Sequence, residues 1–312
     1  MNTTTMLSAL VGTLTACAGL APDDVAGGPT GEGGDDVSVN APIAPGKGAF
    51  ILAHGFGGTA DDWDEGIEPA IEAEGHAVLR TTVPATGSVK SRAAALAPQI
   101  DTLLADTGAT QVHIIAHSMG GLDARYLISS MGYASKVASL TTISTPHRGT
   151  PLADIALGLQ EGDQAAAFDA LVALAELAGL VDADELDQAL IDLSEANADA
   201  FAAANPDAAG VIYQSYAGLS TPGGFELTDT SAACGAVAPD TLRGLLLIPA
   251  LAVTGTDLRP NDGVVPVDSA TYTGFQGCIA ADHLDQVGIF ALVAPTLDPP
   301  AFYKGIATKL VP

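Results

Sequence analysis

The chain of 312 residues is poor in basic residues. Its 11 Lys and Arg stand against 37 Asp and Glu, which gives a formal net charge of −26. A surface of this charge repels phosphate backbones and anionic lipid headgroups, so we expect no nucleic-acid partner. The same acidity suits a protein that must stay soluble in a salty or extracellular medium. Hydrophobic residues still form 48% of the chain, which is enough for one large α/β domain or two small ones.

Cysteine is also scarce, with three residues. The first, Cys17, ends a Leu-Thr-Ala-Cys sequence at 14–17 that resembles the lipobox of bacterial lipoproteins, whose cysteine is lipidated. The apolar stretch around it is too short to span a bilayer as a helix. We predict a signal peptide at 1–16 and an exported protein, either secreted or held at the outer membrane or cell surface by a lipid on Cys17. An oxidising compartment would allow the other two cysteines to pair: Cys234 and Cys278.

Two features near the amino terminus bear on this prediction. Residues 1–16 contain no Lys or Arg, which departs from the positively charged start of a usual signal peptide. Residues 17–48 are rich in Gly and Asp in their later part and show no periodicity, so we predict a flexible tether. Such a tether would hold a globular domain at 49–312 away from a membrane.

A candidate nucleophile follows the apolar run at 112–115. The run ends abruptly at Ala-His-Ser-Met-Gly, residues 116–120, and a helical pattern comes next. This is the context of a nucleophile elbow, in which small residues two positions before and after Ser118 let strand and helix approach. The first of these is usually Gly, so Ala116 is a departure, although a methyl group still fits. Alternatively, Ser118 only caps the helix.

A second loop can supply an oxyanion hole. The first buried strand, at 49–53, ends in His-Gly-Phe-Gly-Gly at 54–58, whose backbone has little side-chain cover. Taken alone, this loop is typical of an ordinary glycine turn. Its occurrence together with Ser118 favours an oxyanion hole. We predict that the N–H groups of Phe56 and Met119 hold the oxyanion.

A serine nucleophile needs a base and an orienting carboxylate. In α/β-hydrolases these follow in the order Ser, Asp or Glu, His. Of the six histidines, only His147 and His283 come after Ser118. His147 lies too early for an acid from a later strand to precede it, which selects His283.

The acid is expected in a loop between the predicted strand at 245–254 and His283. An Asn-Asp-Gly turn occupies 261–263, and we predict Asp262 as the orienting carboxylate. Asp257 is the alternative. The three elements of a triad then occur in the correct order, each on a predicted loop.

Strands that alternate with helices of ten to fifteen residues predict an α/β fold, with a mostly parallel central sheet and helices on both faces. The segment 149–242 contains no Lys or Arg. Within it, a helix predicted at 165–180 is apolar on nearly all sides, so it is either a buried core helix or a lid over an acyl-binding cleft. We place a helical cap at about 151–208. Further strands are predicted at 76–80, 137–143 and 211–216. Further helices are predicted at 63–74, 91–106 and 287–293, with one or two more at 184–204.

At these residues the chain resembles the bacterial true-lipase family, the calcium-dependent triacylglycerol lipases that Gram-negative bacteria secrete. The resemblance extends from about residue 49 to 293. It implies an α/β-hydrolase fold with a helical lid, an acylglycerol or other ester substrate at a lipid–water interface, and often a dedicated membrane-bound foldase. The motifs that carry it are His-Gly at 54–55, the elbow, Arg-Tyr at 125–126, Ser-Thr-Pro-His-Arg-Gly at 144–149, Asn-Asp-Gly at 261–263 and His-Leu-Asp at 283–285.

The resemblance also implies a structural calcium ion, Ca²⁺, that staples the loops of the acid and the histidine. It assigns as ligands Asp285, the backbone carbonyls of Ile289 and Val293, and an aspartate about twenty residues before the acid. Asp240 fits that last position, and Asp229 is a weaker candidate. Alternatively, Asp285 caps a helix.

The family's second cysteine lies just after the acid, where this chain has Val-Asp-Ser at 267–269. We expect Cys234 and Cys278 to bond instead and to staple the same loops. Such a bond requires Cα atoms no more than about 7 Å apart.

We therefore expect an exported triacylglycerol lipase. A short-chain carboxylesterase or a polyester hydrolase could use the same triad. An acyltransferase would pass the acyl group to an alcohol faster than to water. A non-catalytic, surface-anchored binding module on a hydrolase scaffold is the alternative of another class.

Overall fold

Six strands form the central sheet. In chain order they are β1 (Ala49–Ala53), β2 (Ala77–Arg80), β3 (Val112–His117), β4 (Val137–Ile143), β5 (Ile212–Gly218) and β8 (Phe275–Ile279). In space the order is β2-β1-β3-β4-β5-β8, and every neighbouring pair is parallel. The two-residue strands β6 (Ser220–Thr221) and β7 (Asp240–Thr241) form a second small sheet. The computed structural model describes residues 43–63, 66–176, 185–224, 230–242, 246–254, 259–288 and 296–312.

Helices connect the strands, and several of those described begin at a side chain that caps a backbone amide, among them Ser88, Thr150, Ser194 and Asp298. The hydroxyl of Ser88 accepts a hydrogen bond from the amide of Ser91 at the start of the longest helix, and Gly108, at φ 71°, ends it. The helices are α1 (Ile67–Glu72), α2 (Val89–Thr107), α3 (Gly120–Ser129), α4 (Pro151–Ala156), α5 (Gln164–Glu176), α6 (Leu186–Leu193), α7 (Glu195–Ala204), α8 (Ser231–Cys234), α9 (Leu247–Thr254), α10 (Val267–Ala270) and α11 (Pro299–Leu310).

Both faces of the sheet are covered, as the sequence predicts. Successive side chains of a strand point to opposite faces. In β1, Ala49, Ile51 and Ala53 pack in one apolar cluster with residues of α2 and α3. Phe50 and Leu52 pack in another with residues of α1 and α11. The predicted α/β architecture with a parallel sheet is confirmed.

The strand register brings three loops to one edge of the sheet. Ala53, the last residue of β1, is level with Ala116 of β3, and His117 is level with Ile143 at the end of β4. Parallel strands share the direction of their carboxyl ends. The segments that follow β1, β3 and β4 therefore start side by side, and we call this side of the sheet the carboxyl edge.

The prediction of a strand at 245–254 is wrong, because the structure has helix α9 there. A short apolar run has no periodicity that separates a buried helix from a buried strand. Ala250 and Val253 of α9 pack with Leu171 of α5, which a helical face permits. The sixth strand is β8, which the sequence pattern did not predict.

Of the helix predicted at 287–293, the structure describes residues 287 and 288. A single 3₁₀ turn covers Asp285–Val287 and ends at Gly288, whose φ is 76°. Residues 289–295 lie outside the described residues, as do the predicted signal peptide, Cys17 and most of the tether. Every described residue belongs to one compact unit, Ser38–Pro312.

The described part of the predicted cap region contains α4 to α7. In α5, Ala167 and Leu171 are buried in an apolar cluster with Leu152 of α4. Carboxylates fix α6 to the start of α2, since Glu185 accepts a hydrogen bond from the Ser88 amide at 2.8 Å. In the described part of the chain, no helix is both long and apolar enough to cross a membrane.

Candidate active site

Ser118 occupies a strained turn between β3 and α3. Its φ is 52°, a left-handed conformation that non-glycine residues rarely adopt. The turn is possible because its neighbours are small: a Cβ on Gly120 would lie 2.6 Å from the backbone oxygen of His54. Ala116, the departure from the usual glycine, is fully buried without disturbing the turn. The geometry is that of a nucleophile elbow rather than of a simple helix cap, since Ser118 caps no amide of α3.

The structure brings Ser118, Asp262 and His283 together, although 165 positions separate the serine from the histidine. Nε2 of His283 lies 3.0 Å from Oγ of Ser118, and Nδ1 of His283 lies 2.8 Å from Oδ2 of Asp262. All three side chains are buried. The neutral tautomer that satisfies both contacts donates from Nδ1 to the carboxylate and accepts the serine hydroxyl at Nε2. The hydroxyl proton therefore points at a base.

Asp262 is held as a carboxylate. Its Oδ1 accepts hydrogen bonds from the amides of Val264 and Val265, at 3.0 and 2.8 Å. Burial alone would raise the pKa of Asp262, but the charge of His283 and these hydrogen bonds lower it to about 2. Gln286, which sequence reasoning missed, also donates to this carboxylate. The alternative acid, Asp257, lies outside the described residues.

The glycine loop after β1 packs directly against the nucleophile. A Cβ on Gly55 would lie 2.6 Å from Cβ of Ser118, so a side chain at this position would displace the serine. Among the described residues, no group accepts a hydrogen bond from the backbone N–H of Phe56 or of Met119. Both N–H groups therefore stay predicted oxyanion donors.

Arg92 of α2 holds this loop, a role that sequence reasoning missed. The guanidinium is fully buried and donates to three parts of the chain. Its Nε lies 2.8 Å from a carboxylate oxygen of Asp123 on α3, and its Nη2 lies 2.8 Å from the backbone oxygen of His54. The remaining acceptors are the backbone oxygens of Gly55, Pro84 and Ala85.

His54 is part of the same support, and its imidazole is neutral near pH 7. Burial, reinforced by the charge of Arg92, lowers the pKa of His54 to about 3. Its Nδ1 donates to the backbone oxygen of Gly55 at 2.9 Å, and its Nε2 accepts from the amide of Val83 at 3.3 Å. The ring therefore joins the loop to the segment after β2.

The loop after β4 is joined to the loop of the acid. Oγ1 of Thr150 donates to the backbone oxygen of Val264 at 2.6 Å, and Oγ of Ser269 donates to that of Gly149 at 2.6 Å. Ser144 begins this loop with φ 47°, the second positive φ outside glycine in the described chain. Its Oγ accepts from the amide of Gly218 at 2.9 Å.

The predicted disulfide is present. Cys234 of α8 bonds to Cys278 of β8, and their Cα atoms are 5.0 Å apart, within the limit for such a bond. β8 leads within five residues to His283, so the bond fixes the strand that delivers the base.

Of the predicted calcium ligands, the structure describes Asp240 and Asp285. The carboxylate of Asp240 accepts hydrogen bonds from the amide of Thr241 at 2.7 Å and from Oγ1 of Thr296 at 3.0 Å. Three further candidates lie outside the described residues: Asp229, Ile289 and Val293.

Asp285 is buried beside the histidine loop. It does not cap that loop, because Asp282 does so by accepting the amides of Leu284 and Asp285 at 3.0 and 2.9 Å. Across the described ranges, no group of three or more His, Cys, Asp or Glu side chains could hold a metal ion. The predicted calcium site uses two aspartates and two backbone carbonyls, and both carbonyls lie outside the described residues, so this site stays a prediction.

Apolar side chains of the predicted cap region adjoin the site. Leu284, next to the histidine, and Val264, next to the acid, pack in one cluster with residues of α4, α5 and α9, and Phe56 contacts it. Met119 packs with Ala189 and Leu193 of α6. The surroundings of the nucleophile therefore suit an apolar group.

A family profile described as alpha/beta hydrolase fold matches residues 48–215, more than half of the chain. This chain belongs to the α/β-hydrolase family. The matched segment contains the glycine loop and Ser118 and ends before Asp262 and His283. The order of the three residues is the order of that family.

Curated relatives of this α/β-hydrolase include lipases. Triacylglycerol lipase 2 of Saccharomyces cerevisiae is 30% identical over 71% of this chain and 61% of its own length. A triacylglycerol lipase of Vibrio cholerae is 36% identical over 35% of this chain and 36% of its own. The chain thus spans less than two thirds of each relative.

Solved structures share the fold. The Bacillus licheniformis lipase BlEst2 in its mature form has a TM-score of 0.63 at 17% identity, covering 86% of this chain and 94% of that one. The metagenomic carboxyl esterase MGS0156 has a TM-score of 0.63 at 17% identity, covering 86% and 77%. At such identities the likeness establishes the fold.

Proposed function

We propose that this α/β-hydrolase is an exported serine hydrolase that cleaves the carboxylic esters of acylglycerols, as the bacterial true lipases do. The observation that supports it best is the continuous hydrogen-bond chain from Asp262 through His283 to Oγ of Ser118. Ester hydrolysis is also supported by relatives that are themselves named triacylglycerol lipases.

The geometry permits a two-step reaction. Oγ of Ser118 attacks the ester carbonyl while Nε2 of His283 takes its proton, and Asp262 stabilises the imidazolium that forms. The N–H groups of Phe56 and Met119 hold the oxyanion of the tetrahedral intermediate. His283 then gives the proton to the leaving alcohol, which leaves an acyl group on Ser118.

Water completes the cycle. It attacks the acyl carbonyl, passes a proton to His283, and a second tetrahedral intermediate forms at the same oxyanion donors. Collapse of this intermediate breaks the bond to Ser118, and His283 returns the proton to Oγ. A fatty acid leaves, and the enzyme is restored.

Long acyl chains are favoured by the apolar cluster that α4, α5 and α9 form beside Leu284 and Val264. The test is fatty-acid release from emulsified long-chain triacylglycerol and from a soluble short-chain ester. Wild type, Ser118→Ala and Ser135→Ala are compared, since Ser135 is an exposed serine ahead of β4.

We expect both activities in wild type and Ser135→Ala and neither in Ser118→Ala. Cleavage of the short ester alone would favour a carboxylesterase or polyester hydrolase. Faster transfer of the acyl group to an added alcohol than to water would favour an acyltransferase. Activity that persists in Ser118→Ala would exclude this nucleophile, and activity in neither assay would favour a binding module.

Calcium, export and a foldase partner belong to the same proposal and have separate tests. Melting in EDTA, with and without added Ca²⁺, tests the metal, and Asp285→Asn should abolish any difference. Mass spectrometry of the mature amino terminus distinguishes a lipid on Cys17 from plain secretion. Refolding without helper proteins tests the need for a foldase.

A further inference from the structure

The carboxylate of Asp262 accepts hydrogen bonds on both oxygens, and two of its donors are side chains outside the triad, Ser144 and Gln286. The amides of Val264 and Val265 donate hydrogen bonds to Oδ1. On Oδ2, Nδ1 of His283 is 2.8 Å away and Nε2 of Gln286 is 3.0 Å away. Gln286 therefore shares an oxygen with the histidine that Asp262 orients.

Packing alone does not account for this glutamine. Gln286 is fully buried, at 0% exposure. Its Oε1 has no hydrogen-bond partner among the described residues. A buried amide with one unsatisfied atom stabilises the folded protein less than an apolar side chain of the same length would. The contact that distinguishes it from such a side chain is its N–H donation to Asp262.

The backbone leaves room for this contact. Gly218, the last residue of β5, lies against both side chains. A Cβ at this position would lie 2.1 Å from Nε2 of Gln286 and 2.7 Å from Cβ of Asp262. Any other residue at 218 would push the amide away from the carboxylate.

We propose that Gln286 is a positioning residue of the triad, whose amide holds Oδ2 of Asp262 in line with Nδ1 of His283. The amide acts through Asp262 and does not touch the substrate. A carboxylate held only by its Oδ1 partners can rotate about its Cβ–Cγ bond, which would move Oδ2 away from the imidazole. The second donor on Oδ2 opposes that rotation. The proposal rests on the triad assigned under the proposed function.

The main variant is Gln286→Met, which keeps the length of the side chain and removes the donor. We expect kcat to fall about tenfold with KM within about twofold, as for the loss of one hydrogen bond to a charged group. Asn205→Leu is the control, because Asn205 is a buried amide that bonds Ser130 and lies outside the site. It should lower stability and leave kcat unchanged.

A double-mutant cycle separates positioning from packing. In an Asp262→Asn background, Gln286→Met should change kcat by less than about twofold, because the group through which it acts is gone. A tenfold loss that persists in this background would overturn the proposal. So would an unchanged kcat for Gln286→Met alone.

The low-field proton resonance of His283 Nδ1–H gives a readout that needs no activity. We expect Gln286→Met to shift or broaden it, Asn205→Leu to leave it unchanged, and Gly218→Ala to reproduce the Gln286→Met effect. A resonance that is the same in all four proteins would overturn the proposal. A shifted resonance in a protein without Ser118-dependent hydrolysis would instead retain the positioning role and reject the proposed function.

Discussion

Removing the guanidinium of Arg92 should affect stability and the oxyanion loop together. Arg92→Met keeps the aliphatic stem and deletes a cation whose partner, Asp123, is also buried. Breaking a buried pair in this way costs about 3–5 kcal/mol. Burial already raises the pKa of Asp123 to about 7, so this carboxyl can take up a proton once the cation is gone. We therefore expect the free energy of unfolding to fall by the lower end of this range, about 3 kcal/mol, which lowers Tm by about 6–12 °C.

The pH dependence of this loss is specific. A carboxyl whose pKa is higher in the folded protein than in the unfolded chain contributes stability that decreases as pH rises towards the folded value. Without Arg92 that value rises further, so the deficit of Arg92→Met should be smaller at pH 6 than at pH 8. Thermal and urea unfolding at both pH values measure it.

Lys136→Met is the control, because Lys136 forms an exposed pair with Asp101 at 2.7 Å. Lys136→Met should lower the free energy of unfolding by no more than about 1 kcal/mol. A loss for Arg92→Met that matches this control, or one that is equal at pH 6 and pH 8, would refute the reasoning. In active protein, kcat should also fall, since the loop that carries Phe56 loses its support at the backbone of His54 and Gly55.

Three further outcomes are expected. Gly120→Ala should lower stability by about 1–3 kcal/mol and abolish ester hydrolysis, because its methyl group would meet the backbone of Ala53 and His54, which cannot move aside. The pKa of Asp262 is lower in the folded protein than in the unfolded chain, so its contribution of about 2 kcal/mol is present above pH 4 and lost as pH falls towards 2. In Asp262→Asn the free energy of unfolding, measured by urea unfolding, should therefore depend less on pH in that window. Replacing both Cys234 and Cys278 by Ser opens a loop with a sequence separation of 44 and should cost about 4 kcal/mol in urea unfolding.

The nucleophile, base and acid could be predicted because each follows from a local requirement. Small residues around Ser118 mark a tight turn, and the order of the family leaves His283 as the base. Asn-Asp-Gly around Asp262 marks a loop. None of these steps needs a contact between distant parts of the chain, and the structure joins all three by hydrogen bonds.

The supporting residues could not be predicted in this way. Arg92 lies in the middle of an ordinary helical pattern, and its role depends on His54, 38 positions away. Gln286 stands 24 positions from Asp262, and nothing near it marks it as a partner. Helix α9 was missed because an apolar run is compatible with both a strand and a helix until its neighbours are known.

At the carboxyl edge, Ser118 and Ser144 have a positive φ, which lowers the stability of the fold. At Ser118 this loss accompanies the residue that the proposed activity needs. A left-handed serine costs about 1–2 kcal/mol that glycine would not. Ser118→Gly should therefore melt at a higher temperature than wild type while it lacks the nucleophile. Screening variants of this protein for heat resistance alone would favour loss of the residue on which the proposed chemistry depends.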